Sequence, residues 1–412
     1  MPYNEQILTA KENKGLTVFE APYFFAGYAI WLIVAILNTT TLSAYFGHVN
    51  ILYAIVPVFF LLHEIFTVRE HTTGELVFAV ILIFLNLQTF LFGNNDLFAF
   101  SMLLFCGRRV AFSEIAKVTV ILQTVTTILI VTLSSLGLID NVSNIRADGT
   151  TRISLGFAYV TFLSYIFLNI VLLWVWLRNK SMRFSEYLLL GICDTVVFYY
   201  TDARNGCCLI YLVLVVSFII NRCNDKLIHK KGIDFFIQYD YIICAIFFLS
   251  ISLLFIFFSN ISVMKEMDKI FSSRLTYTSY ALQHFGLPFL GGTKDVLVNK
   301  GLYIDSSYMR IIYDHGLIVL LLLLFFLTVL QKKLLADDEW LLLFLLGVIA
   351  VHSMFDAQLM SFQHNTFLFL LTSVIPWGNG KHYRLMGFTH ARSSNAQSKR
   401  SHSYFQSCRY YR

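Results

Sequence analysis

Charge is scarce in this sequence. Asp, Glu, Lys and Arg make up 14 % of its 412 residues, whereas a soluble domain carries about a quarter. The shortage excludes an ordinary solvated fold, and the apolar residues, 57 % of the chain, gather in long runs of the length that crosses about 30 Å of hydrocarbon. Proline is also rare, five in all, and no internal repeat stands out. Both absences speak against transporter folds built from inverted repeats with interrupted helices. The seven cysteines form no secreted-type framework and no Cys-x-x-Cys pair, so free thiols are expected. A cleavable signal is not expected either, because some twenty mixed-charge residues precede the first apolar run.

What is present is a series of apolar runs near 23–42, 50–66, 76–92, 95–106, 118–139, 153–177, 186–201, 206–220, 241–258, 308–330, 340–357 and 363–377. The expectation is an all-α polytopic membrane protein of about twelve helices. Residues 1–377 form one integral domain, with a long loop near 259–307 between the ninth and tenth helices. A basic tail, 378–412, is expected to be disordered and to brush anionic headgroups.

Basic residues orient the spans. With the N-terminus inside, 22 Lys and Arg fall in inner connections and eight in outer ones, and Arg310 falls within a span. Both termini are therefore expected in the cytoplasm and the 259–307 loop outside. The net charge of +6 is then a topology signal, not a nucleic-acid footprint.

Several charges gather at the expected outer ends of the helices. Arg152 opens the sixth span, and Asp202 and Arg204 close the seventh. Arg274 lies in the long loop. Asp305 opens the tenth span, with Arg310, Asp314 and His315 deeper, while His352 and Asp356 end the eleventh. Charge in a bilayer is costly enough to be a functional hypothesis by default. Taken singly, Arg152 and Arg204 suit snorkelling to the interface, Arg310 and Asp314 suit an i,i+4 ion pair, and His352 suits packing. Taken together, arginines from separate segments suit an anion with several oxygens, because the guanidinium matches phosphate bidentately. Tyr277, Tyr280, Phe285, Phe289 and Tyr303 in the long loop suit sugar rings and equally a loop resting on the interface. Asp194, midway in the seventh span, suits a proton path and is the feature that favours a transporter.

Four segments resemble the Wzy-type polysaccharide polymerases, relatives of the O-antigen ligases. Arg152-Ile-Ser-Leu-Gly-Phe157 is similar to their R-x-S-L-G-F stretch. Tyr200-Thr-Asp-Ala-Arg-Asn-Gly206 resembles T-x-S-R-x-G. Ile270-Phe-Ser-Ser-Arg-Leu275, with Phe285-Gly286 and Phe289-Leu-Gly-Gly292, resembles the S-G-R-L … G segment. Asp305-Ser-Ser-Tyr308, with Asp314-His-Gly316, resembles D-N-x-Y … Y-G-L. The likeness spans roughly residues 150–370, with Ala158-Tyr-Val160 in place of the h-P-N that follows R-x-S-L-G-F, and Ala203 and Ser306 also departing from the pattern.

The resemblance implies a GT-C-like helical enzyme of the bacterial inner membrane that needs no metal, cofactor or nucleotide sugar. It would join undecaprenyl-diphosphate-linked oligosaccharide repeats at the outer face. Arg204 and Arg274, joined by Arg152 or Arg310, are the expected diphosphate ligands. Asp305 is the expected general base, with His352 second. Tyr308, Tyr277 and Asp202 are expected at the substrate. Alternatives are a flippase of the lipid-linked repeat and a ligase transferring finished glycan. Expected partners are membrane lipids, a chain-length regulator and a flippase, and not nucleic acid.

Overall fold

The computed structural model describes residues 15–44, 49–91, 96–146, 149–222, 231–292, 297, 299 and 301–375. Lys11, Lys14 and the 378–412 tail lie outside them. The described chain is predominantly helical. Its helices are α1 (Pro22–Leu37), α2 (Val49–Leu62), α3 (Thr73–Leu91), α4 (Asp96–Cys106), α5 (Phe112–Ser135), α6 (Phe162–Arg178), α7 (Phe184–Thr201), α8 (Arg204–Arg222), α9 (Lys231–Gln238), α10 (Asp240–Phe258), α11 (Ser262–Ile270), α12 (Arg274–Phe285), α13 (Ser307–His315), α14 (Leu317–Ala336) and α15 (Trp340–Phe355).

Among the described residues five segments are long and apolar enough to cross a membrane: α5, α6 with its short extension to Ser181, α8, α10 and α14. Shorter apolar helices, Pro22–Leu37, Leu52–Val68, Thr73–Leu87 and Trp340–Phe355, accompany them. Their outward faces are apolar as well, with Ile83, Phe84, Ile121, Ile128, Val215 and Phe325 all exposed. An aqueous protein rarely carries so much contiguous apolar surface. Hydrocarbon tolerates it because each helix satisfies its own backbone polar groups.

The bundle has two distinct ends, marked by what binds either terminus of α1. At its N-terminal end, Leu16 N donates to Arg109 O (2.7 Å) and Ala111 N to Leu16 O (2.9 Å). At its C-terminal end, Thr41 N donates to Gly156 O (3.0 Å) and Ala158 N to Thr39 O (2.9 Å). Sixteen residues of helix separate these ends by about 24 Å.

The first end is clamped by Arg108, a fully buried guanidinium. It holds both carboxylate oxygens of Glu64 (2.8 and 2.9 Å) and Glu75 Oε1 (3.0 Å), and lies 3.9 Å from the Phe105 ring centroid. Arg109 Nη2 closes the cluster on Glu75 Oε2 at 2.8 Å. Removing one member strands a buried opposite charge, at a cost of about 3–5 kcal/mol. Arg108→Leu is therefore expected to lower the thermal midpoint of detergent-solubilised protein sharply. An unchanged midpoint would make the cluster dispensable.

Two expectations about the spans are corrected. The tenth is broken at Gly316, so Arg310 and Asp314 lie on a separate nine-residue helix, α13. Gly316 has φ 100°, and a Cβ there would sit 2.3 Å from Phe289 O. Opposite it, a Cβ on Gly291 would meet the His315 carbonyl carbon at 2.7 Å. The long loop thus lies backbone to backbone on the break, with Leu317 N donating to Pro288 O at 2.9 Å. Only glycine permits that approach.

The twelfth span, read at 363–377, contains an eight-residue 3-10 helix, Thr366–Ser373, all of it buried. At about 2 Å per residue it covers about 16 Å, too little to span a bilayer. Before it, Asp356–Asn365 follows an irregular path. Irregular backbone at membrane depth must find partners within the protein, and here side chains supply them. Gln123 Nε2 donates to Gln363 O (2.6 Å), Asn365 Nδ2 to Leu359 O (2.9 Å) and Thr366 N to Asn169 Oδ1 (3.2 Å). Asn169 Nδ2 in turn bonds Gln123 Oε1 and Thr366 Oγ1, each at 3.0 Å.

Candidate functional site

At the second end, five parts of the chain converge on Asp356, which follows α15 and is buried. Tyr165 from α6 donates its hydroxyl to Asp356 Oδ1 in a short contact. Asn205 from α8 places Nδ2 3.0 Å from Asp356 Oδ2 and 3.1 Å from His352 Nδ1. Ser307 of α13 donates to the Asp356 carbonyl and accepts from Leu359 N at 3.0 Å. Arg274 Nη2 lies 3.9 Å from Asp356 Oδ1 and 3.4 Å from Asp305 Oδ2.

Arg274 is held before any ligand arrives. Its Nε donates to Phe355 O (2.6 Å) and its Nη1 to Phe271 O (3.1 Å). The helix it begins, α12, is capped by Asp268, whose Oδ1 accepts from Leu275 N (3.0 Å) and Thr276 N (3.2 Å). This is the usual way to satisfy the first amides of a helix. Ser272 and Ser273, at φ 53° and 65°, turn the chain tightly between α11 and α12. Side-chain exposure of 17 % leaves Arg274 a wall of the site, with Nη2 turned to the two carboxylates.

Asp305 is 46 % exposed. Loss of hydration pushes its carboxyl above the ordinary carboxylate range against the pull of Arg274, with Asp356 adding to the rise and Arg310 opposing it. Arg310 is 41 % exposed and pairs with Asp314 at 3.2 Å. Arg204 is 58 % exposed and lies 3.3 Å from Asp202. Arg204 begins α8 beside Asn205 in the chain, but it pairs with Asp202, whereas Asn205 bonds Asp356.

Other expected site residues do structural work. Arg152 does not open a helix; it lies on β2 (Thr151–Ile153) of a short hairpin with β1 (Ser143–Ile145). Its buried Nε donates to Thr201 O at 2.7 Å, and burial with neighbouring Arg146 holds its guanidinium below the ordinary range. Asp202 ends α7 in the left-handed region and pairs with Arg146 at 3.0 Å, pinning the hairpin to that helix end. Tyr308 is buried, with its hydroxyl donating to Ala350 O at 2.8 Å, so no face remains for a sugar to stack on. Tyr277 stays exposed on α12. His352 is enclosed between Tyr165, at 5.2 Å between rings, and Asp356.

Next to this cluster lies a chamber of about 630 Å³ bounded by α1, α2, α4, the start of α6, α13 and the irregular 357–364 segment. Arg310, Asp314, Ser307 and His364 line it together with Trp31 and Phe362. Sequence reasoning did not single out Tyr165, Asn205, Ser307 or His364. Uncharged polar residues inside apolar runs give little signal, although Asn205 adjoins Arg204 and Ser307 lies within Asp305-Ser-Ser-Tyr308. Among the described residues no group of His, Cys, Asp and Glu has the arrangement of a metal site. No protein-family model, no curated protein and no solved structure matches the chain.

Proposed function

We propose that this chain is a lipid-linked oligosaccharide polymerase, a GT-C-like glycosyltransferase of many membrane helices. In this reading the second end of the bundle faces outward from the bacterial inner membrane. The observation that carries the reading is the Arg274–Asp305–Asp356 cluster, with Arg310 within electrostatic reach of Asp305. It is a preorganised set of cation and carboxylates at the end of the bundle opposite the Arg108–Glu64–Glu75 clamp.

The chemistry asks for two things. As the glycosidic C1–O bond of one undecaprenyl-diphosphate-linked repeat breaks, the electron pair leaves with the diphosphate oxygen. Arg204, Arg310 and Arg274 stabilise that charge, in the manner of fixed donors aimed where charge develops. The acceptor hydroxyl of the next repeat forms the new C1–O bond and gives its proton to Asp305. His352 and Asn205 hold Asp356, and through it Arg274. The geometry also supports the likeness to Wzy-type polymerases at one telling point. Ser273 stands where those proteins carry glycine in S-G-R-L, and its φ of 65° is a conformation glycine adopts freely.

The test is chain extension by purified protein given the lipid-linked repeat. The expected product is a ladder of lengths from wild type and at least a hundredfold slower extension from Arg204→Ala. A single transfer to a different acceptor would instead assign a ligase. A second reading, transport of the lipid-linked repeat, is favoured by Asp194, buried midway along α7. Chain extension in detergent, where nothing can be transported, removes it. A chain-length regulator and a flippase are proposed partners.

A further inference from the structure

We propose that the 630 Å³ chamber is a carbohydrate subsite that holds the acceptor sugars. The proposal rests on the polymerase reading for the word acceptor, but its chemistry is local. The volume lies in the range of about 300–1,000 Å³ typical of small-molecule sites.

The charge balance of the lining decides the ligand class. Among the described residues that line it, Arg310 is the one guanidinium and Asp314 the one carboxylate, and they already pair at 3.2 Å. A phosphate dianion entering the chamber would gain one cation and meet one anion. A neutral, hydroxyl-rich ligand meets no such opposition. It would also find hydrogen-bonding groups that alternate in kind, in Gln358, Ser361 and His364. His364 is buried, with Nδ1 3.1 Å from Ser361 Oγ and Nε2 lacking a hydrogen-bond partner. An unmet buried polar atom is costly unless a ligand completes it. Trp31 and Phe362 supply the aromatic surface on which the apolar face of a sugar rests.

Placement adds a second argument. Ser307 and Arg310 line the chamber, and Asp305 lies just before them and within electrostatic reach of Arg310. A sugar in the chamber therefore has the proposed proton acceptor at its edge. The irregular 357–364 segment supplies much of the lining, which explains why a continuous helix is absent there. Broken helices in membrane proteins commonly free backbone and polar side chains for a site.

The experiment uses the full chain in lipid nanodiscs, free of sugar-headed detergent. Methyl glycosides of hexoses and N-acetylhexosamines, and methyl phosphate as the anionic probe, are offered at millimolar concentration. Binding is read by saturation-transfer NMR and by Trp31 fluorescence. At least one glycoside is expected to bind, with Gln358→Ala and His364→Gln each weakening it fivefold or more. Lys117→Ala, an exposed residue outside the chamber, is expected to leave glycoside binding intact. Gln358 makes no side-chain bond that the fold depends on, so its variant remains informative should His364→Gln fail to fold. Absence of glycoside binding, binding unchanged in both variants, or capture of methyl phosphate alone would each overturn the proposal. Glycoside binding without chain extension would leave the subsite standing and remove the polymerase reading; extension unaffected by the chamber variants would do the reverse.

Discussion

Arg274→Ala is expected to cut chain extension by at least a thousandfold and to lower the thermal midpoint as well. Two losses combine. Removing one preorganised donor that meets developing charge commonly costs about 10²–10³ in rate. Here the same side chain also bridges α12 to the end of α15 through Phe355 O at 2.6 Å and Phe271 O at 3.1 Å. Its loss leaves those carbonyls without their donor and sets Asp305 beside Asp356 with no guanidinium between them. Arg274→Lys separates the two effects. A lysine keeps the positive charge but cannot make the forked set of bonds, since Arg and Lys differ in donor geometry. The lysine variant should therefore recover part of the rate while still melting early. Full activity in Arg274→Ala, measured as polymer length and initial rate, would remove the residue from the site.

How much of this was legible beforehand depends on what kind of signal each residue leaves. Apolar runs are read by length alone, so α8 and α10 fall close to where composition puts them, whereas α5 begins six residues earlier than read and α14 nine later. Arg274, Asp305 and His352 were visible because charge inside or beside an apolar run is expensive and therefore conspicuous. Arg152 was conspicuous for the same reason yet bonds Thr201 O, because cost shows that a charge has a partner and not what the partner is. Tyr308 adjoins the site in sequence and is turned into the core on α13. A residue's neighbours along a helix do not share its face.

The residues that were missed share one property. Asn169, Gln123, Asn205 and Thr366 are neutral, so they barely perturb a hydropathy profile, yet their hydrogen bonds hold the irregular segment and Asp356 in place. The break at Gly316 is a backbone event. It requires the facing Gly291, some two dozen residues earlier, and no local pattern announces that pairing. The twelfth span failed for a related reason. Its apolar residues are buried by protein on every side, and burial in a core and burial in lipid read alike.

Asp305→Asn should slow extension by about 10²–10⁴, the usual worth of a positioned base, and should also make the protein more stable at neutral pH. The second effect follows from the direction of its shift. Dehydration raises the Asp305 carboxyl above its ordinary range despite Arg274. A carboxylate with a raised folded-state pKa favours folding only while protonated. That contribution is present below the unfolded value near 3.9 and is lost as pH climbs through the folded value. At pH 7 the ionised group thus opposes folding, and an amide of the same shape relieves the opposition. For the rate the sign is reversed, because the base works ionised. Extension by wild type should fall as the medium is acidified through the raised pKa, at a pH above that expected of an ordinary aspartate. Asp305→Asn should lack that acidic limb over its residual rate. The measurements are pH–rate profiles and paired thermal melts at pH 5 and pH 8. A variant with the wild-type acidic limb would remove Asp305 as base. A variant that melts earlier than wild type at pH 8 would instead make Asp305 a structural partner of Arg274. The combination of slower chemistry and higher stability is what separates a group kept for function from one kept for the fold.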